Sequence, residues 1–288
     1  MNTLFQTFQH RLISRYGNGE ARALTFLVFE EVFGISRTDI YVGKGRHFSV
    51  DETQRLWNIC ERLEGGEPIQ YIVGEALFCD LRFRVTPAVL IPRPETEELV
   101  DWTVQTWEEL RPSTSSTPHI WDACTGSGCI AISLGHRLPT AQITACDVSE
   151  EALTVARSNA ERLQVAVTFE QQDLLQPAPA PAQPYDLLVS NPPYICLREQ
   201  AEMEAHVLDQ EPHLALFVPD EDPLRFYRAL AHHATHGALT REGAMLVEIN
   251  RAYARETADL FHEYGFQQVE IRRDAYGNER MIRASKRS

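Results

Sequence analysis

The chain is predicted to fold as an α/β protein: a doubly wound, mostly parallel sheet with helices on both faces, preceded by a small N-terminal helical domain and a β-hairpin linker. Three observations predict it. From residue 119 onward, short apolar runs alternate with segments of helical period. Several of those runs close on a polar residue, at Asp147, Asp173 and Asn191, where a doubly wound sheet gathers its ligands. The first sixty residues have another rhythm. Leu4, Phe5, Phe8, Leu12 and Ile13 recur three and four apart, with no strand signal.

In chain order, a first helix carries Leu4 to Ile13. A second runs from Ala21 to Phe33 and stops at Gly34. A third runs from Ser49 to Leu63, with Ser49 or Asp51 as its cap and Gly65-Gly66 beyond its end. Three helices this short are expected to bury little core of their own. Between residues 68 and 92, Tyr71 to Gly74, Phe78 and Leu81 to Val85 alternate as strands around turns, which predicts a hairpin. Glu97 to Leu110 reads as a helix and Pro112 to Pro118 as a loop. Then come strand Ile120–Ala123, helix Cys129–Leu138, strand Gln142–Cys146, helix Glu150–Leu163 and strand Val165–Gln171. Pro177 to Pro184 alternates Ala and Pro, a solvated loop. Strand Tyr185–Ser190, strand Gly243–Ile249, helix Ala252–Tyr264 and a final strand pair at Gln267–Arg272 and Met281–Ala284 complete the pattern. There is no internal repeat. The expected domains are 1–66, 67–92 and 93–288.

Composition excludes several classes of function. With 43% hydrophobic and 24% charged residues the chain is neither disordered nor fibrous. No apolar run approaches the roughly 20 residues that span a bilayer, and Met1 to His10 has the form of no signal peptide. No membrane is therefore expected as a partner; the expected compartment is cytoplasmic and the expected state monomeric. Lys and Arg total 27 against 41 Asp and Glu, a formal net charge of −14. That balance argues against free nucleic acid as the main partner. The six cysteines form no Cys-x-x-Cys pair and lack histidines at zinc spacing, so free thiols and no metal are expected.

The chemistry is concentrated at the strand ends. In Asp122-Ala-Cys-Thr125-Gly126-Ser127-Gly128, two glycines let the backbone approach a ligand. Asp147, about 20 residues on, can accept both hydroxyls of a ribose. Gln172 and Asp173 end the next strand. Each signal is weak alone, since glycines close ordinary turns and acids cap ordinary helices. Together and in order they favour a nucleoside site. NAD is the rival ligand, but the turn lacks a third glycine, and the fourth strand end does not suit hydride transfer. That end is Asn191-Pro192-Pro193-Tyr194, directly after the apolar Leu187-Leu188-Val189. The prolines stiffen the loop and remove two backbone donors. The Asn191 amide oxygen and the Pro192 carbonyl are then two acceptors for a planar NH2 group. Tyr194 offers a flat face beside it. Such a clamp accelerates a reaction chiefly by holding a nitrogen in place.

With Asp122 to Gly128, Asp147 and Asn-Pro-Pro-Tyr, the sequence resembles the class I S-adenosylmethionine-dependent methyltransferases that modify nitrogen. Further segments are similar to the HemK/PrmC-type glutamine methyltransferases of peptide chain release factors. These are Gly66 to Gly74, Leu90-Ile-Pro-Arg93-Pro-Glu-Thr96-Glu97, Thr125 to Ile132, Glu211-Pro212 with Ala215-Leu216, and Asp274-Ala-Tyr-Gly277 with Arg280. The resemblance runs from about residue 60 to the end. It implies a Rossmann-like methyltransferase domain and S-adenosyl-L-methionine as cofactor, with S-adenosyl-L-homocysteine as product. It implies as substrate the glutamine of the Gly-Gly-Gln motif in class 1 peptide chain release factors, methylated on its side-chain amide nitrogen. Asn191 and Pro192 would hold that amide and Asp147 the ribose. Gly126 and its neighbours would hold the methionine part, and Gln172 or Asp173 the adenine side. Pro92, Arg93 and Thr96 would lie near the cofactor or the substrate channel, and the N-terminal helices would dock the release factor. Cys124 stands where such proteins carry glycine, a substitution that fits if its φ is negative. Asn250 also replaces a glycine and tolerates a positive φ better than most residues.

Other conspicuous residues receive plainer readings. Glu95, Glu97 and Glu98 are acids at a helix start. Arg93, fixed between prolines, suits a carboxylate, either the cofactor's or an internal one. Cys124 and Cys129 have no base beside them and are packing residues. His232, His233, Lys44, Arg46 and Arg37 are surface residues, and Trp57, Trp102, Trp107 and Trp121 core or interface. The remaining alternatives are methyl transfer to another protein glutamine or to a nucleic-acid exocyclic amino group, a binding module that keeps the pocket without the reaction, and a hydride-transferring oxidoreductase.

Overall fold

The computed structural model describes residues 2–42, 47–110, 117–203 and 205–286. Lys44, Arg46 and most of the loop read at Pro112 to Pro118 lie outside them. The chain divides into two units, Met1–Glu75 with Glu204–Gln210, and Ala76–Met203 with Glu211–Ser288.

The first unit opens with α1 (Asn2–Leu27), interrupted at Gly17, whose φ of 71° and ψ of 172° are not helical. This interruption separates the two apolar runs read at Leu4–Ile13 and Ala21–Phe33. A short α2 (Arg37–Tyr41), which the apolar pattern did not mark, is capped by the Ser36 side chain. In α3 (Val50–Glu64), Ser49 accepts from the Glu52 amide while the Glu52 carboxylate accepts from the Ser49 amide. This reciprocal cap satisfies two donors that a helix start leaves open. Contrary to expectation, these helices bury a core of their own around Phe5, Phe8, Leu12, Phe29, Leu56 and Leu63. Phe29 packs edge-on against both Phe5 and Phe8. Aromatic side chains bury enough area to give so small a unit an interior. The segment read as a strand at Tyr71–Gly74 is instead the last turn of α4 (Ile69–Val73), closed by the left-handed Gly74.

From Ala76 on, the second unit opens with the hairpin of β1 (Glu75–Phe78), whose first residue still counts with the first unit, and β2 (Leu81–Arg84). Its two-residue loop, Cys79 and Asp80, has positive φ at both positions (48° and 61°), the twist that suits a tight hairpin. Next come α5 (Pro94–Leu110), β3 (His119–Ala123), α6 (Cys129–Arg137), β4 (Gln142–Asp147), α7 (Glu150–Leu163), β5 (Thr168–Gln171) and β6 (Tyr185–Ser190). β5 starts three residues later than expected, because Gln164 takes a left-handed turn and Val165 still bonds back to Ala160. The stretch after Asn191 holds elements the apolar pattern did not mark. These are β7 (Ile195–Cys196), α8 (Ala205–Gln210, within the first unit), α9 (His213–Leu216), β8 (Phe217–Val218) and α10 (Arg225–His233). Finally, β9 (Leu239–Glu248), α11 (Ala254–Glu263), β10 (Gln268–Arg273) and β11 (Glu279–Ser285) complete the second unit.

Seven strands form one sheet in the order β10-β11-β9-β6-β3-β4-β5. The five from β9 to β5 run parallel; β11 is antiparallel to both of its neighbours, β9 and β10, so β10 again runs with the five. Both faces are covered, which is why the central strands are apolar throughout. Ile120, Leu187, Val189 and Leu246 face α5 and α6, whereas Trp121, Leu188, Met245 and Val247 face α10 and α11. Trp102, Trp107 and Trp121 are buried in this double core, and Trp57 packs on the core of the first unit. His233, expected at the surface, is buried, and its ring meets the Leu174 carbonyl at 3.0 Å. Its neighbour His232 is exposed. Among the described residues no helix is long and apolar enough to cross a membrane.

Register delivers the site. Ala123 lies opposite Cys146 and Ser190, Ser190 opposite Val247, and Asp147 opposite Gln171. Cys124, Asp147, Gln172, Asn191 and Glu248 therefore reach one edge of the sheet. The strand order reverses there too, with β4 on one side of β3 and β6 on the other. This is where a doubly wound sheet opens a crevice.

Candidate active site

The crevice is a cavity of about 400 Å3, within the size range of small-molecule sites. Its floor is the turn after β3. The Thr125 amide donates to the Cys146 carbonyl at 2.9 Å, tying the turn to β4, and the Gly128 amide closes it on the Thr125 carbonyl. Gly126 and Gly128 have φ of 55° and 80°. A Cβ on Gly126 would meet no protein atom and would stand in the cavity, whereas one on Gly128 would strike Ile132 and Ala156. So one glycine leaves room for a ligand and the other lets α6 approach α7.

Cys124 has a φ of 60°, not the negative value under which its substitution for glycine was expected to fit. The turn keeps its left-handed geometry with a side chain in it. Burial pushes the Cys124 thiol well above its usual range and the Cys129 thiol to about 12, so neither is a ready nucleophile. All six cysteines are free, and no group of described residues could hold a metal ion. Asn250 also departs from expectation. Its φ is −69°, so it needs no glycine-like freedom; its side chain caps the next turn through the Ala252 amide.

Asp122 is fully buried beneath the turn. Its Oδ2 accepts from the Thr125 hydroxyl at 2.5 Å and the Ala131 amide at 3.1 Å, while Oδ1 has no partner. Burial pushes its carboxyl up to about 7. Asp147 lines the cavity one strand over. Its Oδ2 accepts from the Gly126 amide at 2.9 Å and its Oδ1 from the Ser149 amide at 3.0 Å. Those bonds fix the carboxylate and leave lone pairs for further donors. Burial raises its carboxyl pKa against the two amides. Gln172 and Asp173 line the same wall. The Gln172 amide donates to the Asp147 carbonyl, and Asp173 accepts from the Leu175 amide.

At the other end lie Arg93, Thr96, Asn191 and Pro193. Arg93 meets an internal carboxylate, Glu211, at 2.6 Å. Glu211 also accepts from the Ile91 amide at 3.2 Å, so it secures the segment lining this end. The Asn191 Nδ2 donates to the Thr96 hydroxyl oxygen at 3.2 Å, and its Oδ1 accepts from no described group. Pro192 and Tyr194 are not part of the cavity lining. Tyr194 instead anchors the loop. Its hydroxyl donates to Glu248 at 2.9 Å and its carbonyl accepts from Asn250 Nδ2 at 3.2 Å.

Residues 107–211 match the description "Methyltransferase small domain", and residues 3–74 match "PrmC N-terminal domain". A protein of Bacteroides thetaiotaomicron called release factor glutamine methyltransferase is 44% identical over 99% of this chain and 100% of its own. One of the same name from Streptococcus pneumoniae is 37% identical over 97% and 96%. The chain belongs to the release factor glutamine methyltransferase family. Among solved structures, the catalytic domain of hMettl16 in complex with MAT2A 3′UTR hairpin 1 aligns with a TM-score of 0.57. It is 14% identical and covers 84% of this chain and 82% of its own. The human methyltransferase 10 domain containing protein aligns at 0.53, 15% identical, over 73% and 90%. At these identities the likeness is one of fold.

Membership in this methyltransferase family implies S-adenosylmethionine as the methyl donor. The cavity fits that group: an acceptor carboxylate at Asp147, open space over Gly126, the unpartnered buried Ser127 hydroxyl, and apolar walls from Val148, Leu174 and Phe226. Sequence reasoning passed over two supporting residues. Asn159, buried on α7, bonds the Arg84 amide and carbonyl and the Ser127 carbonyl, tying the hairpin to the glycine turn. Glu248 supports the Asn-Pro-Pro-Tyr loop through Tyr194 and reaches Asn191 through Thr96. Its one visible signal was a carboxylate following the apolar run Ala244–Val247.

Proposed function

We propose that this chain transfers a methyl group from S-adenosylmethionine to the side-chain amide nitrogen of the glutamine in the Gly-Gly-Gln motif of class 1 peptide chain release factors. The observation that carries the reading is Asn191. It sits on the cavity with its NH2 tied to Thr96 and its oxygen open. An open, rigidly held acceptor suits a substrate that brings an NH2 group.

The residues take these parts. Asp147 accepts from the ribose hydroxyls, Thr125 to Gly128 cradle the methionine part, and Gln172 and Asp173 flank the adenine. When bound, S-adenosylmethionine supplies a methyl group on a sulfonium, already electrophilic. The chain therefore needs no base before transfer. The Asn191 oxygen and the Pro192 carbonyl hold the substrate NH2 and draw its protons aside, so the nitrogen lone pair faces the methyl carbon. The surplus proton leaves from the substituted amide to water. Arg93, held by Glu211, borders the channel by which the glutamine enters. The N-terminal helical unit docks the body of the release factor, and the protein works in the cytoplasm as a monomer.

The test offers labelled S-adenosylmethionine with purified release factor and with its Gly-Gly-Ala variant, and then applies mass spectrometry to the loop peptide. Label on the glutamine, absent from the variant, is the expected result. Label on neither substrate, with cofactor binding intact, rejects the reading in favour of another amide or a nucleic-acid amino group.

A further inference from the structure

The Asn191 side chain has two ends of opposite chemistry. Its oxygen accepts from a substrate NH2, whereas its own NH2 would oppose one and welcome a carboxylate instead. Nothing in Asn191 itself decides which end faces the cavity. A chain of three hydrogen bonds behind it does.

The chain starts at Glu248, 2% exposed at the end of β9. Its Oε1 accepts from the Tyr194 hydroxyl at 2.9 Å and its Oε2 from the Thr96 hydroxyl at 2.7 Å. Burial and the adjacent carboxylate push the Tyr194 hydroxyl well above its usual range, so it remains a donor. A threonine hydroxyl has a single proton. Once that proton is committed to Glu248, the Thr96 oxygen can only accept. The group facing it, 3.2 Å away, must then be the Asn191 NH2. Turned over, Asn191 would set oxygen against oxygen with no proton between them, the loss of a part-buried hydrogen bond and a repulsion besides. Burial pushes the Glu248 carboxyl up, while the hydrogen bonds from Thr96 and Tyr194 and the nearby Arg280 oppose that shift and favour the charged form; Arg280 Nε also bonds Asp274 at 3.4 Å.

We propose that Glu248, acting through the Thr96 hydroxyl, fixes the oxygen of Asn191 toward the substrate and so selects glutamine over glutamate. Glu248 and Thr96 are thus positioning residues that determine specificity. The inference rests on the reading of Asn191 as the glutamine clamp.

The experiment compares the full chain with Thr96→Val, Thr96→Ser and Glu248→Gln, using Gly-Gly-Gln peptide as substrate and Gly-Gly-Glu peptide as competitor. In the parent protein the glutamate peptide should inhibit at least about tenfold more weakly than the glutamine peptide binds. Thr96→Val removes the hydroxyl at nearly constant volume. It should lower kcat by about 10- to 100-fold and bring the two peptides to within about threefold of each other. S-Adenosylmethionine affinity, measured by calorimetry on the same samples, should stay unchanged and report that the variants are folded. Thr96→Ser restores the hydroxyl and should restore the parental preference. Glu248→Gln can donate to Thr96 and should weaken the preference as Thr96→Val does, which provides a second route if Thr96→Val does not fold. A parental glutamine preference in both Thr96→Val and Glu248→Gln overturns the proposal, as does Thr96→Ser behaving like Thr96→Val. Failure of the parent protein to methylate either the peptide or the release factor overturns the glutamine reading itself, a different result from normal parental activity with indifferent variants.

Discussion

Asp122 and Asp147 are two carboxylates at neighbouring strand ends with different work. Asp147 faces the cavity, and its two backbone donors hold it ready for a diol. Asp147→Ala should weaken S-adenosylmethionine binding at least about tenfold by calorimetry, the loss of a charge-assisted pair of hydrogen bonds. An unchanged dissociation constant would remove Asp147 from the ribose. Asp122 is enclosed, with one oxygen unpartnered and its carboxyl pushed up to about 7. The shift is upward, so between the unfolded value near 3.8 and about 7 the folded chain holds a proton that the unfolded chain has lost. Its contribution is complete below that window and drains away as pH rises through it. Asp122→Asn cannot ionise. Relative to the parent, its melting temperature should therefore be higher at pH 8 than at pH 5; a parent-minus-variant difference that is flat with pH would contradict this.

At the scale of elements, the glycine turn joins β3 to α6 and sets how closely α6 meets α7. Gly128 adopts a φ of 80°, and a Cβ there would come within 2.9 Å of Ile132 and 3.1 Å of Ala156. Gly128→Ala should cost about 1–3 kcal/mol in denaturant unfolding, from backbone strain and overpacking together. Gly126 has the same handedness but open space around it. Gly126→Ala should therefore cost more in cofactor affinity than in stability, and the reverse order would interchange the two roles. The Asn-Pro-Pro-Tyr loop is a second such joint. Its prolines restrict it from within, while Thr96 on α5, Glu248 at the end of β9 and Asn250 just beyond that strand hold it from outside.

At the scale of the molecule, a net charge of −14 leaves little for electrostatic capture of nucleic acid and directs attention to docking by shape and apolar contact. The first unit exposes Tyr41, Val42 and Val50, the last at 84%. If that unit docks the release factor, Val42→Glu with Val50→Glu should raise KM for the whole release factor at least about threefold and leave KM for a Gly-Gly-Gln peptide unchanged. Equal effects on both substrates would assign those side chains another role.

The sequence by itself determined the doubly wound α/β pattern and the strand ends that carry chemistry, because apolar periodicity and Gly-x-Gly, Asp and Asn-Pro-Pro-Tyr are local signals. The Gly17 break was implicit in the gap between two apolar runs, and the sequence offered Ser49 or Asp51 as the cap of the third helix, of which the structure uses Ser49. The segment Tyr71–Gly74 reads as strand although it closes helix α4, because three apolar residues before a glycine satisfy either period. The core of the first unit was underestimated because ring-on-ring packing is invisible until the helices are placed together. Only the tertiary structure decided that Cys124 takes a positive φ and Asn250 a negative one, that Arg93 meets Glu211, and that Glu248 lies behind Asn191. Those partners are separated by more than fifty residues in the chain, too far for sequence spacing to pair them; the register of Ser190 with Val247 sets Asn191 beside Glu248, and the packing of the folded chain brings Glu211 to Arg93.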